Sequence, residues 1–69
     1  MTLDIAKNLK IGDRVKNTKT KHVDIVVKIN SKNHFVTSYD LKSLKNESTF
    51  YYGFYVEWLT DDVWIKLED

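Results

Sequence analysis

The chain has 69 residues, no cysteine and no proline, and its eleven basic and ten acidic side chains leave a net charge of +1. A chain this short makes one domain and spends most of its large apolar residues on a core; without Cys it has no disulfide framework and no thiolate zinc site, which points to a reducing cytoplasm. No apolar run approaches the roughly 20 residues that cross a bilayer, and none resembles a signal peptide, so no membrane association is expected.

Charge is unevenly distributed. Residues 1–45 carry ten Lys or Arg against four Asp, and residues 46–69 carry one Lys against six acids, giving a basic end and an acidic end. Ten of the eleven basic residues are Lys, a bias that, with frequent Asn, reads as the AT-rich coding of low-GC bacteria and their phages.

In chain order, residues 2–9 predict two turns of helix capped by Thr2, with Ile5 and Leu9 on one face. Gly12 and Asp13 supply turn chemistry, and a strand begins at Val15 and runs to about Thr18. Residues 17–21 form a Lys-rich polar turn. Val23, Ile25, Val27 and Ile29 alternate with His22, Asp24, Val26 and Lys28, which predicts a second strand with its odd positions inward. A turn at 30–33 precedes a third strand that points Phe35, Thr37, Tyr39 and Leu41 inward. Residues 42–49 read as a solvated loop that Leu44 pins down.

The densest apolar stretch is residues 50–67. Phe50, Tyr52, Phe54, Val56 and Trp58 share one parity, while Tyr51, Tyr55, Glu57 and Leu59 share the other. With Asp61 and Asp62 at the centre of a two-residue turn, the stretch becomes a hairpin that pairs Trp58 with Ile65 and Val56 with Leu67 on the core face. Its outer face then pairs Glu57 with Lys66 and Leu59 with Trp64. Five short strands and no helical repeat after residue 10 predict a mainly β fold, a small five-stranded antiparallel barrel with a short N-terminal helix.

The runs IGDRV at 11–15, VVKI at 26–29 and YVEWLTDDVW at 55–64 resemble the SH3-like small barrels of the Tudor and KOW type. A Gly-Asp-x-Val opening, a second strand and a late Val-x-Trp-x-Asp turn recur there in that order. The chain departs from that pattern at Asp24 and Asp62, where Gly is frequent, and in the loop 42–49. The resemblance implies an SH3-like barrel and, for KOW relatives, contact with RNA or ribosomal partners.

Catalysis has little to work with. The Ser residues sit in no nucleophile motif, the two His are twelve residues apart, and no phosphate-cradling Gly loop is present, so a noncatalytic protein is expected. Three binding chemistries remain. The outward parity of the last hairpin offers Tyr51, Tyr55, Leu59 and Trp64, flanked by Glu57, Asp61 and Asp62, as a contact surface for a larger host protein with a basic face. In a phage or other mobile-element accessory protein, such an acidic surface suits an inhibitor that competes with DNA for a basic channel, as in a CRISPR nuclease. The alternative is a KOW-like nucleic-acid-binding face built from Lys7, Lys10, Arg14, Lys16, Lys19 and Lys21. In a further alternative, pairing Ile29 with Phe35 sets Asp24 opposite Asp40 with His22 alongside, a ligand set suited to zinc or another divalent ion.

Overall fold

The computed structural model describes residues 1–44 and 52–68. Five strands form one antiparallel sheet, β1 (Arg14–Asn17), β2 (Val23–Lys32), β3 (Phe35–Ser43), β4 (Tyr52–Tyr55) and β5 (Trp64–Leu67), with helix α1 (Leu3–Lys7) before them and helix α2 (Val56–Leu59) between β4 and β5. The strand order is β4-β3-β2-β1-β5. The sheet curls into a half barrel, so the expected mainly β fold, five antiparallel strands with a short N-terminal helix, is the observed one.

Helix α1 starts where the sequence predicts. The Thr2 hydroxyl accepts from the Ile5 N–H at 3.3 Å, satisfying one of the amides that a helix start leaves without a partner. The buried face differs from the expected one, because the helix ends at Lys7 and the four-residue spacing no longer governs Leu9. Ala6 and Leu9 are buried, and Ile5 is exposed. The chain then turns at Gly12, whose φ of +95° is a conformation that Gly adopts at little cost. Asp13 closes that turn by accepting from the Lys10 N–H at 2.8 Å.

Strand β2 departs most from simple alternation. Asp24 and Val26 are buried, Ile25 is only half-buried, and Ile29 returns to the core side. The ladder with β3 slips between Val26 and Lys28, and an extra residue in a strand switches which parity faces inward. The hairpin turn is also later than expected, at Asn33 and His34, both with positive φ (53° and 68°), the combination that two-residue I′ turns require. Ile29 therefore pairs with Tyr39 and Val26 with Leu41. The expected partner of Ile29, Phe35, instead lies opposite Lys32 at the hairpin end, 74 % exposed. The loop expected from residue 42 begins later, since Lys42 and Ser43 belong to β3; Leu44 is exposed, and the rest of that loop lies outside the described residues.

The predicted hairpin at 50–67 is replaced by a strand, a helix and a strand at opposite sheet edges. Strand β4 pairs with β3, and β5 pairs with β1. The chain passes between them through α2, so the pairings Trp58–Ile65, Val56–Leu67, Glu57–Lys66 and Leu59–Trp64 do not form. Within α2 the inward side chains are Val56 and Leu59, three residues apart, a helical spacing that period-two reading cannot represent. The Met1 α-ammonium donates to the carbonyls of Leu59 (3.1 Å), Asp61 (3.1 Å) and Trp64 (2.7 Å), supplying donors to the end of α2.

The core consists of Ala6, Leu9, Val15, Val26, Tyr39, Leu41, Val56, Leu59 and Trp64. Tyr39 is fully buried, and its hydroxyl donates to the Ala6 carbonyl at 2.5 Å while accepting from the Leu9 N–H at 3.2 Å. Burial, more than the charge of Asp13, raises the pKa of this phenol; the Leu9 hydrogen bond acts the other way. Replacing Tyr39 with Phe should keep the ring packing but strand one buried carbonyl and one buried amide, at a cost of about 1–3 kcal/mol in urea unfolding. A loss within error would show that α1 is not docked through this hydroxyl.

Candidate contact surface

The aromatic residues of β4 and α2 form a connected chain of rings. Tyr55 meets Trp58 edge to face at 4.9 Å, Trp58 meets Phe54 at 5.0 Å, and Phe54 meets the buried Trp64 at 5.1 Å. Edge-to-face contacts of this kind contribute about 0.5–1.5 kcal/mol each beyond area burial. At the outer end the rings are open to solvent, with Tyr55 53 % and Trp58 51 % exposed. Glu57, Asp61 and Asp62, on α2 and in the turn after it, are all exposed.

Of the residues expected to make contact, Tyr55, Glu57, Asp61 and Asp62 are at the surface, and Tyr51 lies outside the described residues. Leu59 and Trp64 are not available, being 0 % and 8 % exposed in the core. Their place is taken by Trp58, which alternation assigned to the interior. The two tryptophans exchange roles because α2 turns residue 58 outward and the separate strand β5 turns residue 64 inward.

The six basic residues are spread over three segments of the chain. Lys7 and Lys10 lie at the end of α1 and in the loop beyond it, Lys19 and Lys21 lie in the turn at the far end of β1, and Arg14 and Lys16 lie along β1 between them. Lys7 is 3.5 Å from Asp4.

The proposed metal ligands are also separated by the observed register. Asp24 lies opposite Ser43, Asp40 lies opposite Lys28, and His22 is exposed before β2 begins. The like-charge pair that motivated the site is therefore absent, and no group of three His, Cys, Asp or Glu with metal-binding geometry occurs among the described residues.

Instead, Asp24 is 3 % exposed and accepts a 2.6 Å hydrogen bond from the Tyr52 hydroxyl at Oδ2. This bond crosses over β3 and ties the start of β4 to β2. Sequence reading missed it because it requires the bulge that turns Asp24 inward. Burial, then the hydrogen bond to Asp24 and its charge, raises the Tyr52 pKa above the ordinary 10.0.

A cleft of about 170 Å³ lies beside the ring chain, lined by Ser38, Gly53, Phe54 and Tyr55. No helix among the described residues is long and apolar enough to cross a membrane. Comparison with protein-family models, with curated proteins and with solved structures found no match to this chain.

The Tyr52–Asp24 bond has a pH signature. The folded state retains a phenolic proton that the unfolded chain releases near the ordinary tyrosine value of 10.0, so the unfolded state binds fewer protons above that pH and stability falls as pH rises. Chemical denaturation across the alkaline range should show this loss, and Tyr52→Phe should make it shallower while lowering neutral-pH stability by about 1–3 kcal/mol. An unchanged alkaline slope in Tyr52→Phe would assign the loss to other groups.

Proposed function

We propose that this protein is a noncatalytic protein-binding module that docks through Tyr55 and Trp58, with Glu57, Asp61 and Asp62 as an acidic rim, onto a partner with a basic surface. The observation that carries this reading is the ring chain. Two large aromatics are half exposed, yet their orientation is tied through Phe54 to a buried tryptophan. Exposed Tyr and Trp concentrate binding energy, and rings already held in place lose little freedom on docking. The acidic rim attracts a basic partner and sets orientation more than it adds affinity. In a mobile-element accessory protein, such a surface would occupy a nucleic-acid channel on a host factor.

Affinity capture from a bacterial lysate, with and without nuclease, separates protein from nucleic-acid partners. Trp58→Ala and Tyr55→Ala should abolish nuclease-resistant capture at a stability cost of about 1 kcal/mol, since each loses edge contacts but little buried area. Trp64→Ala, by contrast, should destabilise by about 3–5 kcal/mol as a core truncation. Undiminished capture by Trp58→Ala, or capture that disappears with nuclease, would overturn the reading.

A further inference from the structure

The cleft beside Tyr55 has a regular origin. On β3, Tyr39 and Leu41 point into the core, so Ser38 and Asp40 occupy the opposite, outer face of the sheet. Strand β4 sets Tyr55 opposite Ser38 and Gly53 opposite Asp40. These four positions form one tile of the outer face, two cross-strand pairs next to each other, and one corner has no side chain. The cleft there is lined by Ser38, Gly53, Phe54 and Tyr55, and the Asp40 carboxylate lies at its Gly53 edge, with Oδ1 3.9 Å from where a Cβ of residue 53 would stand.

Neither backbone conformation nor crowding explains the Gly. The φ of Gly53 is not positive, and a Cβ built there meets only Asp40 Oδ1 at 3.9 Å, an ordinary contact. A Gly in a strand costs about 0.5–1 kcal/mol relative to Ala. What the residue provides at that position is open space.

The walls of that space are held in position by Asn30, which lies opposite Ser38 on β2. Its amide donates to Ser38 Oγ at 3.2 Å and to Asp40 Oδ1 at 3.0 Å. A carboxylate has about four acceptor sites, so the bond from Asn30 leaves Asp40 able to receive more, and Ser38, accepting at Oγ, keeps a hydroxyl proton to donate. A carboxylate held by Asn30, one cross-strand pair away from an exposed aromatic residue, suits a planar cation.

Size decides what kind of ligand fits. Sites for cofactors and drug-sized molecules occupy about 300–1,000 Å³, whereas this cleft has about 170 Å³, room for one side chain. Arg fits the walls better than Lys, because its guanidinium forms paired bonds to a carboxylate while stacking on a ring. Lys28, opposite Asp40 on the neighbouring strand and exposed, opposes the ligand.

We propose that the Gly53 cleft is an arginine-binding subsite, in which Asp40 pairs with the guanidinium of a partner protein and Tyr55 covers it. This rests on the protein-binding reading and specifies the chemistry of its partner. It places the anchor on the outer sheet face, where Tyr55 also meets Trp58, and leaves Glu57, Asp61 and Asp62 as the surrounding field.

The test uses N-acetyl-arginine amide as the probe and its isosteric neutral citrulline counterpart as the control, followed by amide chemical shifts of the full chain. The arginine compound should give saturable shifts centred on Ser38, Gly53 and Tyr55, with citrulline weaker by about tenfold or more, as a lost charge-assisted pair requires. Asp40→Asn and Gly53→Val should each remove the effect while the spectrum remains folded, and Lys28→Gln should strengthen it. Equal response to citrulline, shifts centred on Glu57, Asp61 and Asp62, or no saturable shift would overturn the subsite. Loss of partner capture in Trp58→Ala with full capture by Asp40→Asn and Gly53→Val would also overturn it, while leaving the protein-binding reading intact.

Discussion

The fold depends on a buried hydroxyl. Tyr39 lies midway along the central part of the sheet, paired with Ile29 on one side and Phe54 on the other, and its phenol reaches the end of α1. A hydroxyl removed from water is costly unless both its donor and acceptor functions are used, and here one backbone carbonyl and one backbone amide use them. Those two groups fix where α1 ends and where Leu9 enters the core. With α1 in place, the Met1 ammonium reaches the carbonyls that close α2, and α2 in turn sets the direction of Trp58. A surface ring is thus positioned through a succession of contacts that begins in the interior.

How much of this was legible in the residues depends on which signal each element leaves. The Thr2 cap, the Gly12–Asp13 turn and the number of strands are local features, and the chain shows them directly. The bulge in β2 is not, because Ile25, Val26 and Val27 are all apolar and either parity satisfies a buried face. Position 33 also competed with position 30 for the turn, and the two-residue turn was settled by the tolerance of Asn33 for positive φ together with the longer ladder that the later turn allows. A helix of four residues cannot display a period, so α2 was concealed within an apparent alternation from Tyr52 to Trp58.

The candidate surface was partly visible for the same reasons. Aromatic density identified the region, and the acidic residues at 57, 61 and 62 are at the surface as expected. The inward and outward rings could not be sorted without α2, which accounts for the exchange of Trp58 and Trp64. The tile around Gly53 was further from reach, because the register between β3 and β4 is set across a connection whose length gives no turn signature. Only the paired strands bring Asp40 beside Gly53.

Rigidity and charge act at different stages in such a surface. Exposed carboxylates interact across water and are screened within about 8–10 Å at physiological salt, so in the proposed complex Glu57, Asp61 and Asp62 would act mainly on encounter with the partner. In the same proposal the Asn30-held Asp40 and the ring chain would act after encounter, where the freedom lost on docking decides residence time. Because Trp58 contacts Phe54, and Phe54 contacts Trp64, tightening or loosening the core alters how firmly the outer rings are held. Stability and the proposed binding are therefore coupled along this one line of rings, and a substitution at Phe54 is expected to change both even though its side chain is not at the outer end of the surface.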